Sequence, residues 1–345
     1  MDAKLPTFIL ALLLTAVPQS KAICTPQAEG TRIPFPFQGG AWRVHVSPNG
    51  KWVAAINCRG FMPGGVPIIG GGITADLKSG KVLYSFPFDA KAAVPGKGDL
   101  TDIAFSRDSK YLVTVEHDLK SFTLWNAATG KKIRSVIAYE EWIEACRFSP
   151  DGKHLATLGC GKRTPSAADG EKAQTKMELV KIWEVETWDL KKVYDHTTTG
   201  MGLAYNHDGT LIAYSSGGEV VVWNLKDDTK TVLKGKPVVS ASALCFSPKS
   251  NLLANASSMQ LELWDVDTGM LIRTWPSREF KVDFSPDGNL IAIPRPDGSE
   301  VLKVQGDKFD KVPRDVSTGM GAFTVDGKSV VWCGWDYLVV RPLKK

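Results

Sequence analysis

A short turn phrase of the form Phe-Ser-Pro-Asp-Gly recurs along this 345-residue chain and constrains its fold more than any other feature. Seven versions of the phrase begin at residues 46, 105, 148, 205, 246, 284 and 323. Four of the six intervals between them are 38–43 residues long, and the other two are 57 and 59 residues long. Pro presets one backbone dihedral, Asp bonds its own backbone and Gly accepts a positive φ, so the phrase predicts a tight turn. A period near 40 residues indicates a repeat architecture.

Each turn lies between two runs in which apolar and polar residues alternate, as they do in β-strands. The second turn, for example, separates residues 100–105 from residues 110–115. In four of the units a third run follows that carries a tryptophan, and a fourth short run comes after a second turn; the tryptophans are Trp125, Trp183, Trp223 and Trp264. Four strands in about 40 residues are typical of one blade of a β-propeller.

At these tryptophans the chain resembles the WD40-repeat family. The matching dipeptides are Trp125-Asn126, Trp183-Glu184, Trp223-Asn224 and Trp264-Asp265, while the Gly-His pair of that family is absent throughout. The resemblance covers roughly residues 30–345 and is nearest to divergent, exported, bacterial-type members. It implies an all-β fold, a seven-bladed propeller of four-stranded antiparallel blades, and a non-enzymatic role as a protein or peptide interaction module or scaffold. The four tryptophans are then packing residues of the repeat.

The seventh unit has three predicted strands before the chain ends, and the segment 31–37 precedes the first complete unit. We therefore predict that this N-terminal segment supplies the fourth strand of blade seven. Such closure removes the exposed sheet edges that invite aggregation. Pro34 and Pro36 are compatible with this position because the outermost strand of a blade is an edge strand. Residues 23–345 are expected to form one propeller domain.

The first 22 residues are expected to be a signal peptide. Leu5 to Val17 is an apolar run that is shorter than the roughly 20 residues of a membrane-spanning helix. Ser20 and Ala22 stand at the small-residue positions of a cleavage site, which predicts cleavage after Ala22 and a secreted or periplasmic protein. The alternative is a retained single anchor. No later run is long enough to span a bilayer.

Charge and cysteine content point away from several chemistries. The net charge of +5 becomes +4 without residues 1–22, and so small a charge does not indicate a nucleic-acid partner. The chain is expected to be a monomer on its own. The six cysteines form no CxxC pair and no two histidines are three or four residues apart, so we predict no metal and no cofactor. Because blades one and seven adjoin on closure, Cys58 and Cys333 are the best candidates for a disulfide.

The longest predicted connections fall on one face of the ring. In WD40-like blades the repeated turn lies on the bottom face, and the links between strands two and three and between successive blades open on the top face. The insertions at 58–72, 87–100 and 160–176 are all such top-face links, in blades one to three. Long loops on a rigid scaffold often carry binding function, although flexible decoration is the alternative. The predicted binding residues are Arg59, Phe61, Met62, Lys97, Glu140, Glu141, Trp142, Lys162, Arg163 and His196.

A second functional hypothesis concerns the central channel of the propeller. No motif of a zinc protease, a nucleophile elbow or a phosphate-binding loop occurs, and no catalytic residue is predicted. Asp195 and His196 lie in a Gly-rich segment expected at the channel mouth. They leave open a small-ligand binder or an enzyme that acts at the channel.

Overall fold

A computed structural model describes residues 30–37, 40–57, 71–87, 100–117, 119–161, 177–196, 201–216, 219–234, 241–257, 260–276, 281–293, 300–305, 309–311, 321–334 and 336–343. These residues form 28 β-strands, β1 to β28 in chain order, in seven four-stranded antiparallel sheets. The sheets are the blades of a β-propeller, as the turn phrases predict. Within the described ranges no helix is long and apolar enough to cross a membrane.

The first strand and the first three blades follow each other along the chain. The first strand is β1 (Thr31–Pro34). Blade one contains β2 (Arg43–Val46), β3 (Trp52–Asn57), β4 (Gly71–Asp76) and β5 (Val82–Pro87). Blade two contains β6 (Leu100–Phe105), β7 (Tyr111–Glu116), β8 (Ser121–Asn126) and β9 (Lys132–Ile137). Blade three contains β10 (Trp142–Phe148), β11 (His154–Gly161), β12 (Met177–Glu184) and β13 (Leu190–His196).

The remaining four blades repeat the same order. Blade four contains β14 (Leu203–Tyr205), β15 (Leu211–Ser216), β16 (Glu219–Asn224) and β17 (Lys230–Leu233). Blade five contains β18 (Ala241–Phe246), β19 (Leu252–Ser257), β20 (Gln260–Asp265) and β21 (Met270–Pro276). Blade six contains β22 (Asp283–Phe284), β23 (Leu290–Ile293), β24 (Glu300–Lys303) and β25 (Phe309–Lys311). Blade seven contains β26 (Gly321–Phe323), β27 (Ser329–Cys333) and β28 (Tyr337–Pro342), with β1 as its outermost strand.

The N-terminal strand closes the ring, which confirms the prediction for residues 31–37. β1 pairs antiparallel with β28, from Thr31 opposite Val340 to Pro34 opposite Tyr337. Ile33 is fully buried in one apolar cluster with Val53 of blade one and Leu338 of blade seven. Because this cluster joins the first and last blades, closure rests on apolar packing as well as on backbone hydrogen bonds.

Five of the repeated turns, those with Ser47, Ser106, Ser149, Ser285 and Thr324, share one hydrogen-bond clamp, shown most clearly at residues 149–154. Ser149 Oγ donates to Asp151 Oδ1 at 2.5 Å and accepts from the backbone N–H of His154 at 2.9 Å. Gly152 has a φ of +74°, and a Cβ there would lie 3.1 Å from Cβ of Arg107 in the turn of blade two. The phrase therefore shapes the turn, and its glycine lets neighbouring turns approach closely.

The core lies between the faces of adjacent blades, and the predicted tryptophans are part of it. Trp183 packs edge-on against Phe122 of blade two, with 5.3 Å between the ring centroids. Its Nε1 donates to Thr157 Oγ1 at 2.9 Å, and Trp125 Nε1 makes the equivalent bond to Thr114 Oγ1 at 2.9 Å. Trp223 and Trp264 instead donate to carboxylates, those of Asp228 and Glu262.

Blade three carries a hydrogen-bonded chain that reaches from the preceding link to the tryptophan of its third strand. The Tyr139 hydroxyl donates to the Thr157 carbonyl at 2.9 Å and lies 2.9 Å from Thr157 Oγ1. Trp183 donates to the same Oγ1. A tyrosine in the link between blades two and three therefore connects to the tryptophan of strand three through one threonine.

Candidate functional site

The strand order places the three long insertions on the same face of the ring. The seven repeated turns join the innermost strand of each blade to its second strand, and we call that face the bottom face and the opposite face the top face. The segment 58–70 joins β3 to β4, 88–99 joins β5 to β6, and 162–176 joins β11 to β12. By strand direction, all three connections leave from the top face.

Several predicted binding residues lie on these insertions, outside the described residues. They are Arg59, Phe61, Met62, Lys97, Lys162 and Arg163, and Cys58 of the predicted disulfide lies there too. Cys333 is buried at the end of β27. The backbone of Asp195 and His196 belongs to β13, the outermost strand of blade three, and not to the channel-lining strand. The side chains of these two residues lie outside the description.

The described part of the top face contains an aromatic and acidic group that we call the mouth cluster, formed by His117, Trp142 and Glu144. The ring of Trp142 stacks on that of His117, with 6.0 Å between centroids and an interplanar angle of 15°. His117 Nε2 lies 3.0 Å from Glu144 Oε1. Trp142 is half-buried, so one part of its surface packs within the protein and another part is exposed to solvent.

Two further predicted residues flank the mouth cluster. Glu140 is exposed, and its backbone carbonyl accepts a hydrogen bond from the Lys120 ammonium group. The backbone N–H of Glu141 donates to the Cys160 carbonyl at 3.0 Å, which fixes the entry into β10. The structure therefore brings Glu140, Glu141 and Trp142 together, beside the strand ends from which two of the three insertions leave.

A β-bulge explains how Glu144 reaches this position. The register between β10 and β11 shifts between Ile143 and Ala145, and Glu144 is the extra residue. An equivalent shift in blade two leaves Thr101 as the extra residue, whose Oγ1 donates to the Ile143 carbonyl at 3.3 Å. Bulges of this kind re-aim side chains and are frequent beside functional sites. Sequence reasoning missed Glu144, because a bulge cannot be recognised in an alternating pattern, and His117, because its contacts lie between two blades.

The central channel contains a second group of polar residues, which sequence reasoning also missed. Asp102 of β6 is fully buried and accepts hydrogen bonds from the backbone N–H of Cys146 at 3.0 Å and from Arg147 Nη1 at 2.5 Å. Arg43 Nε of β2 lies 3.7 Å from Asp102 Oδ1. Burial acts to raise the pKa of Asp102, but Arg147 and Arg43 outweigh it and hold that pKa below its usual value. One carboxylate therefore links the innermost strands of blades one, two and three.

Asp283 has the corresponding role on the far side of the channel. It accepts a hydrogen bond from the backbone N–H of Phe323 in blade seven at 2.9 Å. The Cys245 thiol of blade five donates to its other oxygen over 3.8 Å. Burial raises the pKa of Asp283 to about 6, because the charged form is poorly solvated there.

A cavity of about 190 Å³ is lined by Asp283 and by the two arginines that pair with Asp102. Its polar lining is Arg43 and His45 of blade one, Arg147 of blade three, Cys245 of blade five and Asp283 of blade six. Burial, helped by Arg147, lowers the pKa of His45 to about 3, and burial together with Asp283 raises the pKa of Cys245 to about 12. Both groups are therefore neutral at pH 7.

A side chain spans the channel near the top face. The ammonium group of Lys281 in blade six donates to the backbone carbonyl of Trp42 in blade one. It also lies 3.9 Å from the centroid of the Trp42 ring, in a cation–π contact. Lys281 is buried, so this contact connects two blades that are not neighbours in the ring.

The channel residues share a position relative to the repeated turn, and this position is the signal that sequence reasoning missed. One residue before the aromatic of each phrase, or before Val46 in the first, the chain has His45, Ala104, Arg147, Ala204, Cys245, Asp283 and Ala322. Three residues before it, the chain has Arg43, Asp102, Ala145, Gly202, Ala243, Lys281 and Met320. Most residues at these two positions are small, and the charged ones among them, together with His45 and Cys245, are the polar residues of the channel.

Among the described residues, no three His, Cys, Asp or Glu side chains converge as metal ligands do. The channel group instead consists of guanidinium groups, carboxyl groups, a neutral imidazole and a thiol. Such a set is suited to hydrogen bonding with a small polar molecule.

The chain is similar to proteins named for nuclear distribution. The nuclear distribution protein nudF of Aspergillus niger is 28% identical over 139 residues, which cover 39% of this chain and 31% of that protein. PAC1-1 of Uncinocarpus reesii is 28% identical over 171 residues, 47% of this chain and 38% of that protein. The nudF protein of Emericella nidulans is 26% identical over 160 residues, 44% of this chain and 36% of that protein.

These similarities cover less than two fifths of the length of each relative. No protein-family model matches the chain. The relatives are WD40-repeat proteins, so the similarity agrees with the resemblance seen in the turn phrases and with the seven-bladed fold.

Proposed function

We propose that this chain is an exported, non-enzymatic interaction module that binds a protein or peptide partner through its top face. The observation that carries the proposal is that three long connections begin and end on one face of three adjacent blades, two of them at strand ends beside the mouth cluster. Rigid blades position these connections, which is the arrangement in which loops commonly carry binding function.

The mouth cluster has the composition of an interface anchor. Tryptophan is enriched at the energetic centres of interfaces, where its large surface becomes fully desolvated. Trp142 is held in one orientation by stacking on His117, so little conformational freedom is lost when a partner covers it. The acidic residues around it, Glu140, Glu141 and Glu144, favour a partner with complementary basic groups.

A pair of tryptophan variants tests this proposal. Trp142→Ala removes the proposed anchor, and Trp52→Ala is the matched control. Trp52 is also half-buried and stacks on an aromatic ring, that of Phe105. It differs in position, because it is the first residue of β3 and lies at the bottom face. Loss of a central interface tryptophan costs about 2 kcal/mol or more, which is about 30-fold in affinity. Each variant of the full chain is cross-linked to its partners in an extract of the source organism. The captured proteins are then quantified by mass spectrometry and compared between variants.

A loop variant extends the test to the insertions. Gly161 and Met177 are paired across β11 and β12, so residues 162–176 can be replaced by Asn-Gly, which closes a two-residue hairpin. We expect this variant and Trp142→Ala to lose the captured partner and Trp52→Ala to retain it. Equal capture by all three variants contradicts a top-face site.

The exported location is part of the same proposal and has its own test. Cleavage after Ala22 gives a mature chain that begins at Ile23. Mass spectrometry of the protein from secreted or periplasmic fractions is expected to show this N-terminus. A chain that retains residues 1–22 in the membrane fraction supports the anchor alternative instead.

A further inference from the structure

The central cavity is lined by guanidinium groups whose donors are only partly engaged by the described residues. In the part of the chain that the structure describes, Arg43 makes its polar contacts through Nε, to the Thr101 carbonyl at 3.4 Å and toward Asp102. Arg147 makes its contacts through Nη1, to Asp102 and to the Cys146 carbonyl at 2.6 Å. Both residues line the cavity. The terminal nitrogens of Arg43, and Nε and Nη2 of Arg147, therefore have no acceptor among the described residues and are available to a molecule in the cavity.

The opposite wall presents a carboxyl group. Asp283 lines the cavity from blade six, and among the described residues it forms no ion pair with Arg43 or Arg147 within 4.0 Å. Groups of opposite charge thus face each other across the cavity and remain apart. A gap of this kind is suited to a ligand that carries both charges.

The charge balance of the site selects the ligand class. At neutral pH the two guanidinium groups of the lining, Arg43 and Arg147, are balanced by the carboxylates of Asp283, which also lines the cavity, and of Asp102, which pairs with both. The Lys281 ammonium group lies outside the lining, on Trp42. A bare anion or a bare cation would leave an uncompensated charge in a buried site, which is costly. A zwitterion satisfies both walls and preserves neutrality. The volume of about 190 Å³ is below the roughly 300 Å³ of pockets for drug-sized ligands, so the ligand is small.

We propose that the central cavity binds a small zwitterion of the α-amino-acid class, with its carboxylate on Arg43 and Arg147 and its ammonium group on Asp283. Paired guanidinium donors are well matched to a carboxylate. His45 and Cys245 complete the lining as neutral groups. This site is separate from the proposed top-face function and does not depend on it.

The ionisation of Asp283 gives the proposal a distinctive pH dependence. The titratable and charged groups around Asp283 are Lys281, two residues before it, Cys245 of β18, Arg147 of β10 and, across the cavity, Arg43 and His45 of β2. The neighbouring strands β23 and β26 contain no titratable side chain. With a pKa of about 6, Asp283 is ionised at pH 7.5 and largely protonated at pH 5. Affinity for a ligand ammonium group therefore falls on acidification, whereas affinity for a bare carboxylate rises.

Calorimetric titration of the full chain tests the site with glycine, and with acetate and methylammonium as its two halves. At pH 7.5 we expect glycine to bind more tightly than either half. At pH 5.0 about one tenth of Asp283 is ionised, so the glycine affinity is expected to fall about tenfold while that of acetate rises. Glycine and acetate that respond to pH in the same direction, or the absence of glycine binding at pH 7.5, overturns the proposal.

Variants place the binding in the cavity. Asp283→Asn keeps an oxygen acceptor for the Phe323 N–H but removes the charge, and we expect it to weaken glycine binding at pH 7.5 and to abolish the pH response. Lys191→Ala is the control, because Lys191 pairs with Glu184 at 3.3 Å outside the channel. Unchanged glycine binding by Asp283→Asn contradicts the assignment. If that variant does not fold, the opposite pH responses of glycine and acetate in the unmodified chain decide the question.

Discussion

Closure of the ring by β1 predicts an unusually large effect for one substitution near the N-terminus. Ile33→Ala removes a fully buried side chain from the cluster that joins blades one and seven. Such a change costs about 2–5 kcal/mol, through lost apolar burial and the cavity that remains. Since whole domains are stable by only about 5–15 kcal/mol, the loss is a large share of the total.

The neighbouring residue provides a matched control in the same strand. Arg32 is exposed and lies over the Tyr337 ring at 4.6 Å, a contact worth about 0.5–1 kcal/mol. Equilibrium unfolding in guanidinium chloride, followed by tryptophan fluorescence, gives the free energy of unfolding for Ile33→Ala and Arg32→Ala. Equal losses of unfolding free energy for the two variants would refute the packing of β1 against blade one. In that case a chain without residues 23–38 should also unfold in one sharp transition.

Three other substitutions test the polar and turn contacts by the same unfolding assay. Thr157→Val removes the acceptor of the buried Trp183 Nε1, for an expected loss of about 1–3 kcal/mol, and no change would contradict the hydrogen-bonded chain from Tyr139. Gly152→Ala forces a side chain into a φ of +74° against Arg107, which should cost about 1–2 kcal/mol. Asp102→Asn leaves the buried guanidinium group of Arg43 and the half-buried one of Arg147 without their carboxylate and should cost about 3–5 kcal/mol at pH 7. The pKa of Asp102 in the folded chain lies below the unfolded value of 3.8, so the stabilisation from its carboxylate is present above pH 3.8 and is lost as the pH falls through the folded pKa. The difference in free energy of unfolding between Asp102→Asn and the unmodified chain should therefore shrink in acid.

The fold could be predicted from the sequence because each blade carries its own local signals. The repeated turn needs Ser, Asp and Gly in fixed places, and the bonds of Ser149 show why. The closing strand was also predictable, since blade seven lacked a fourth strand and residues 31–37 lacked a blade. These inferences depend on counting units of known size and not on side-chain contacts.

The candidate sites were less predictable, because they depend on contacts between blades. Glu144 reaches the mouth cluster through a bulge, and Asp102 meets Arg147 across 45 residues of sequence. Neither relation leaves a local pattern. The channel residues do share a position relative to the turns, but that series has meaning only once the innermost strands are known to surround one cavity.

The top-face interface is the central functional claim, and site-specific photo-cross-linking tests it most directly. A photoreactive amino acid at position 140 reports on the top face, and one at position 328 reports on the bottom face, where Glu140 and Lys328 are both exposed. The account predicts that the probe at position 140 forms a covalent adduct with a protein partner in the source organism and that the probe at position 328 does not. An adduct from position 328 with none from position 140 would contradict it.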